Sequence, residues 1–227
     1  VIRMRTALVL TLAALVLSGC GSTDDSSDPD TQAAGSCSYP AFDDAAKSVK
    51  APPADPPSPA PTTITITTNS GVIPLTLEPD LAPCTVNSFV SLAQQGFYDN
   101  TSCHRMLTVG DYILQCGDPN GDGRGGPGYT IPDELVANDP RLQPCDAGGT
   151  CTYPGGTIAM ANRSQPDTGG SQFFLMYEDS PFPPNYTVFG RTNASGLKVL
   201  KAIGAKGTAG GAPDGAPIEP VTITSVK

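Results

Sequence analysis

The sequence predicts an all-β-dominated domain, a closed barrel or sandwich carrying two helices. Three observations lead there. Short runs alternate apolar and polar residues with period two, as half-buried strands do. Turn formers separate these runs: 25 Gly and 24 Pro make up about 22% of the 227 residues, where ~12% is usual. Two stretches place apolar residues at helical spacing.

The globular part is expected over residues 62–227, long enough for one hydrophobic core. Residues 63–67 read Thr-Ile-Thr-Ile-Thr, a period-two strand. Asn69-Ser70-Gly71 supplies a turn, and residues 72–77 return as the second strand of a hairpin. Pro83 suits the first turn of a helix. Residues 85–95 then put Val86, Phe89, Val90 and Ala93 at helical spacing, and Gly96 stops the helix. Strands are expected over 102–107, 112–116, 157–161, 173–177 and 187–191. Residues 196–203 form the second helix and 221–226 the last strand. Short strands with turns between them fit a barrel or a sandwich, and periodicity does not choose.

Composition excludes several classes. Gly and Pro break helix interiors, which rules out a bundle or coiled coil. A net charge of −9 and a pI near 4.4 oppose a nucleic-acid surface. His104 is the single histidine, so His-rich metal sites are excluded and a Ser-His-Asp triad would depend on that residue. Residues 62–227 are too few for the two α/β lobes of a solute-binding lipoprotein.

Residues 1–19 read as an address. Arg3 and Arg5 precede an apolar run over 7–17, the pattern of a secretory signal. The run is too short for a bilayer span, which needs about 20 residues. Leu17-Ser18-Gly19-Cys20 resembles a bacterial lipobox. That resemblance implies cleavage before Cys20, a lipid on its sulfur, and a place on the extracytoplasmic face of the membrane. Residues 20–61 are expected to form an acidic, Pro-rich tether that buries too little apolar surface to offset chain entropy. Cys37-Ser38-Tyr39 is the part of it suited to docking on the domain.

Other patterns carry no function. Gly123-Arg124-Gly125-Gly126-Pro127-Gly128 matches a dinucleotide fingerprint, but Pro127 stands where a helix should open. Asp118, Asn120, Asp122 and Gly123 match the start of a calcium loop, whose twelfth position is Tyr129 rather than Glu. Both read as turns. Asn100, Asn162, Asn185 and Asn193 head glycosylation triplets that are read as incidental.

Five blocks then occur in a specific order: Cys103-His104-Arg105-Met106, Leu114-Gln115-Cys116-Gly117-Asp118, Ala159-Met160-Ala161-Asn162, Gly170-Ser171-Gln172-Phe173-Phe174 and Val188-Phe189-Gly190. Together they resemble the cyclophilins, and in detail the lipoprotein cyclophilins of actinobacteria. The resemblance implies an eight-stranded antiparallel closed barrel capped by two helices. It also implies peptidyl-prolyl cis-trans isomerisation of proline-containing polypeptides, without cofactor or metal.

By that resemblance Arg105 is the catalytic arginine and Gln115 its amide partner, with two residues inserted between them near 108–111. Ala161, Asn162 and Gln172 match positions that hold the substrate. Tyr112, Ile113 and Phe174 fall where an apolar socket takes the proline ring. Phe182 stands at a frequent tryptophan position and Tyr186 at a frequent histidine. Pro183 replaces a usual leucine, and the loop over 182–186 is one residue shorter. These departures put the rim in question and imply weak cyclosporin binding. His104 is expected to face the other side of its strand in a structural role. A monomer is expected. The rival reading is a non-catalytic peptide-binding chaperone or adhesin on the same scaffold.

Setting Cys20 aside leaves six cysteines, an even number in a secreted context, which suggests disulfides over zinc. Cys145 and Cys151 bracket a Gly-rich loop. Cys103 and Cys116 lie on expected neighbouring strands. Cys37 and Cys84 remain as the third pair. Six cysteines allow fifteen pairings, so this is one assignment among several.

Overall fold

The computed structural model describes residues 36–227. The expected signal sequence, Cys20 and the acidic start of the tether lie outside the described residues. None of the described helices is long and apolar enough to cross a membrane.

The chain makes β1 (Thr63–Thr68), β2 (Gly71–Leu77), α1 (Pro83–Gln94), β3 (Thr101–Ser102), β4 (Arg105–Leu107), β5 (Ile113–Cys116), β6 (Cys151–Tyr153), β7 (Thr157–Met160), β8 (Phe173–Met176), β9 (Ser180–Phe182), β10 (Val188–Thr192), α2 (Ala194–Gly204), β11 (Asp214–Gly215) and β12 (Thr222–Val226). The expected hairpin, both helices and the main strands are all present. Strands β6, β9 and β11 were not anticipated. Each has only two or three residues, too few to display a period.

The expected closed eight-stranded barrel is corrected. Ten strands form one antiparallel sheet in the order β11-β4-β5-β8-β7-β10-β2-β1-β12-β3, and β6 pairs with β9 in a separate ladder. The reason lies at residues 101–107, of which 102–107 are expected as one strand. Thr101 and Ser102 pair with β12, whereas Arg105 and Met106 pair with β5, at the far end of the order. Cys103 and His104 therefore carry the chain from one end of the ladder to the other. The sheet is curled into a half-barrel, and chain connectivity rather than a hydrogen-bonded ladder links β3 to β4.

Alternation along the strands sorts side chains between two faces. Met106, Leu114, Leu175 and Ile158 stand opposite one another across β4, β5, β8 and β7 and point into the main core. Helix α1 closes that core with Val86, Phe89 and Leu92. The Phe89 ring meets Phe173 edge-on, 5.3 Å between centroids. The α1 N-terminus has no capping side chain of its own. Glu134 supplies one from a distant loop, accepting the N–H groups of Cys84 and Thr85 at 2.8 Å each, which answers orphan donors and the helix dipole together. Helix α2 is capped locally by the Asn193 side chain, which accepts from Ser195 and Gly196.

Much of the expected tether belongs to the domain. Residues 36–227 all lie in one compact unit. A disulfide joins Cys37 to Cys84, the Tyr39 hydroxyl donates to Cys84 O at 3.0 Å, and Lys47 donates to Phe97 O at 2.7 Å. Composition alone suggested a free spacer. These tertiary bonds hold a segment that has no helix and only isolated strand bridges, at Ala41 and Ala45. The other two disulfides are Cys103–Cys116 and Cys145–Cys151.

Candidate active site

Register builds the site. Arg105 stands opposite Gln115, Gln115 opposite Phe174, Phe174 opposite Ala159, and Ala159 opposite Val188. Directly opposed residues share a face, so these five form one row on the outer side of the sheet. Residues two positions along continue it: Leu107, Ile113, Met176 and Ala161 join Phe174, Ala159 and Val188 in a second, smaller apolar cluster. Phe173 and Phe174 are adjacent in sequence, yet Phe173 packs in the main core and Phe174 in this one.

A polar chain runs along one edge. Arg105 Nε and Nη2 donate to the two carboxylate oxygens of Asp214, both at 2.8 Å. Arg105 Nη1 reaches Gln115 Oε1 at 3.4 Å. Gln115 Nε2 donates to Gln172 Oε1 at 2.9 Å, and Gln172 Nε2 to Gly125 O at 3.0 Å. Each amide thus has its oxygen and nitrogen assigned to different neighbours. The Arg105 hydrogen bonds hold the Asp214 carboxyl below the usual carboxylate range, and in return Asp214 raises the guanidinium pKa.

The aromatic edge is formed by Phe174, Phe182 and Tyr186. The Tyr186 ring stands edge-on to Phe174 at 5.2 Å and to Phe182 at 5.8 Å. The Tyr153 hydroxyl donates to Pro183 O at 3.1 Å and fixes the short loop. Asn162 Nδ2 donates to Asn185 O at 2.9 Å, tying the loop to the end of β7. Ala161 joins through its N–H to Gln172 O at 2.9 Å.

The structure thus gathers Arg105, Gln115, Ile113, Ala161, Asn162, Gln172, Phe174, Phe182 and Tyr186 at one place. Tyr112 is the exception. Its ring packs edge-on to Tyr177 and against the main core, because it precedes Ile113 by one residue in an alternating strand. Its backbone N–H is held by Ser180 Oγ at 2.9 Å. His104 lies beneath Gly123, and neither ring nitrogen finds a partner among the described residues. Asp118 spends its buried carboxylate on the N–H groups of Asn120, Asp122, Gly123 and Arg124, which shapes the loop that resembled a calcium site. Asp214, Tyr153 and Leu107 escaped sequence reading. Asp214 had no signal beyond an Asp-Gly turn 109 residues from Arg105.

An arginine fork, two glutamine amides and an aromatic socket on the outer face of a curled antiparallel sheet define a class. The family model for cyclophilin type peptidyl-prolyl cis-trans isomerases matches residues 63–227, and the chain belongs to that family. It is 49% identical over 207 residues to a probable peptidyl-prolyl cis-trans isomerase B of Mycobacterium tuberculosis, covering 87% of this chain and 65% of that protein. The chain thus spans just under two thirds of that relative's length. A Mycobacterium leprae protein with the same description is also 49% identical, over 88% of this chain and 68% of its own. Among solved structures, a Cryptosporidium parvum cyclophilin type peptidyl-prolyl cis-trans isomerase matches with a TM-score of 0.60 at 26% identity, over 73% of this chain and 95% of that one.

Proposed function

We propose that this protein is a peptidyl-prolyl cis-trans isomerase acting on X-Pro bonds of proteins outside the cytoplasm. The observation that carries the reading is the row in which the Arg105 guanidinium and the Phe174 ring flank Gln115 on one face. An X-Pro bond resists rotation because resonance stiffens its C–N bond, with a barrier on the order of 20 kcal/mol. No covalent bond breaks. A catalyst needs only to hold the twisted amide more tightly than either planar form. In the twisted state the nitrogen regains a lone pair and accepts a hydrogen bond.

Arg105 is suited to donate it. A guanidinium carries five N–H groups and stays protonated. Asp214 takes two and Gln115 one, which leaves one on Nη1 and one on Nη2 for substrate. Phe174, Phe182 and Tyr186 offer the apolar socket that anchors the proline ring while the chain on one side of the bond turns. Asn162 and Gln172 provide amides for the substrate backbone.

The location belongs to the same proposal. The lipobox at residues 17–20 supports a lipid anchor on Cys20 at the outer face of a bacterial membrane. The even set of paired cysteines supports an oxidising compartment.

Arg105→Ala tests the activity on a proline-containing peptide. The expected result is a fall in kcat/KM of about a hundredfold or more, the range for losing one transition-state donor, with the circular dichroism spectrum retained. Unchanged turnover would falsify the mechanism.

A further inference from the structure

Beside the Gln115–Gln172 pair lies a cleft of about 150 Å³, walled partly by Gly125, Gly126 and Asn162 and also by Asp44 and Arg163. Asp44 comes from the segment that sequence reading assigned to the tether. Residues 40–46 run alongside 126–130: Phe42 N–H donates to Gly128 O at 2.9 Å, Ala46 N–H to Gly126 O at 2.9 Å, Gly126 N–H to Asp44 O at 2.8 Å, and Thr130 N–H to Pro40 O at 2.9 Å. The Asp44 carboxylate accepts the Gly128 N–H at 2.9 Å and pairs with the Arg163 guanidinium. That carboxylate occupies the space where a side chain on Gly126 would go. The Arg163 guanidinium also lies over the Phe42 ring, 4.2 Å from its centroid.

We propose that residues 40–46 are a working wall of the substrate groove, in which Asp44 positions both the 125–128 loop and Arg163, and Arg163 selects for an acidic client side chain near the proline. This rests on the isomerase reading above. The asymmetry of the ion pair carries the selection. Both residues line the cleft, but the Asp44 side chain is 4% exposed and the Arg163 side chain 36%, so the positive end of the pair is the one open to an incoming group. An incoming carboxylate meets a fork with N–H groups to spare. An incoming ammonium meets a like charge.

The test uses the full chain and peptides that carry Glu, Ala or Lys at either position before proline. Affinity is read by chemical-shift titration, which needs no turnover, and kcat/KM is measured in parallel. The wild type is expected to prefer Glu over Lys by about two- to fivefold, the scale of an exposed ion pair. Arg163→Gln removes that preference. Asp44→Asn widens it, because the cation loses its buried counter-charge. Asp44→Ala also speeds amide hydrogen exchange at Gly126 and Gly128.

A wild type blind to charge, or a preference that survives Arg163→Gln, overturns the selection. Unaltered exchange in Asp44→Ala overturns the wall. An inactive chain that keeps the preference defeats the isomerase reading but not this one, and an active chain without it does the reverse.

Discussion

Arg105 and Asp214 are joined at two points, with Nε to one carboxylate oxygen and Nη2 to the other. Strand β11 makes this possible by pairing Asp214 with Leu107, so the carboxylate rises beside the arginine two residues earlier. The two side chains are 43% and 49% exposed. An ion pair that exposed adds little to stability. Its effect is to hold a long, flexible side chain in one orientation.

Asp214→Ala is therefore expected to lower kcat/KM by about tenfold, since misplacing a positioned group costs that order or more. Thermal stability should change by no more than about 0.5 kcal/mol, as for other surface changes. Asp214→Glu should restore part of the rate. The linkage sign follows from the depressed Asp214 pKa. The hold on Arg105 is complete above the usual carboxylate value of about 3.9 and is lost as pH falls through the lower folded value. A variant that melts earlier but turns over normally would defeat the orienting role.

His104 makes a pH prediction of its own. Burial lowers its pKa below the usual histidine value, and its ring nitrogens have no partner among the described residues. The unfolded chain then binds a proton that the folded chain refuses. Stability is full above about pH 6.5 and declines as pH falls below it, towards the depressed folded pKa. Chemical denaturation between pH 7 and 5 should show this slope, and His104→Gln should flatten it. An equal slope in both proteins would refute the assignment.

Phe173 and Phe174 should separate stability from binding. Phe173→Leu removes ring contacts with Phe89 and Tyr98 in the main core and is expected to cost about 1–3 kcal/mol, with KM unchanged. Phe174→Leu alters the socket against Tyr186 and Phe182 and should raise KM by about tenfold, equivalent to about 1.4 kcal/mol. Denaturant melts and steady-state kinetics on both variants decide the matter. The converse pattern would mean that the two faces are misassigned.

The Cys37–Cys84 disulfide spans 47 residues of sequence. Chain-entropy reasoning gives such a loop roughly 4 kcal/mol of stabilisation, model-dependent in origin. A Cys37→Ser/Cys84→Ser variant should lose much of this in urea melts. Exchange should rise first over residues 36–50, while β7 and β8 stay protected. Uniform loss of protection across the sheet would show instead that the segment and the sheet open as one unit.

The sequence by itself determined the main strands and both helices, because those signals are local, and its five blocks carried the family resemblance. A period of two marks a strand within five residues, and the Gly170-Ser171-Gln172-Phe173-Phe174 block carries its own recognition. Alternation alone could also have separated Tyr112 from Ile113. Tertiary structure decided what depends on distant segments meeting. The ladder breaks at Cys103–His104 because the dipeptides on either side pair with β12 and β5, which stand far apart in the order. Asp214 reaches Arg105 across 109 residues and Asp44 reaches Arg163 across 119. A charged residue in a Gly- or Pro-rich stretch looks the same in sequence whether solvent or an arginine faces it. Only the folded chain supplies the partner, and with it the difference between a tether and a wall of the site.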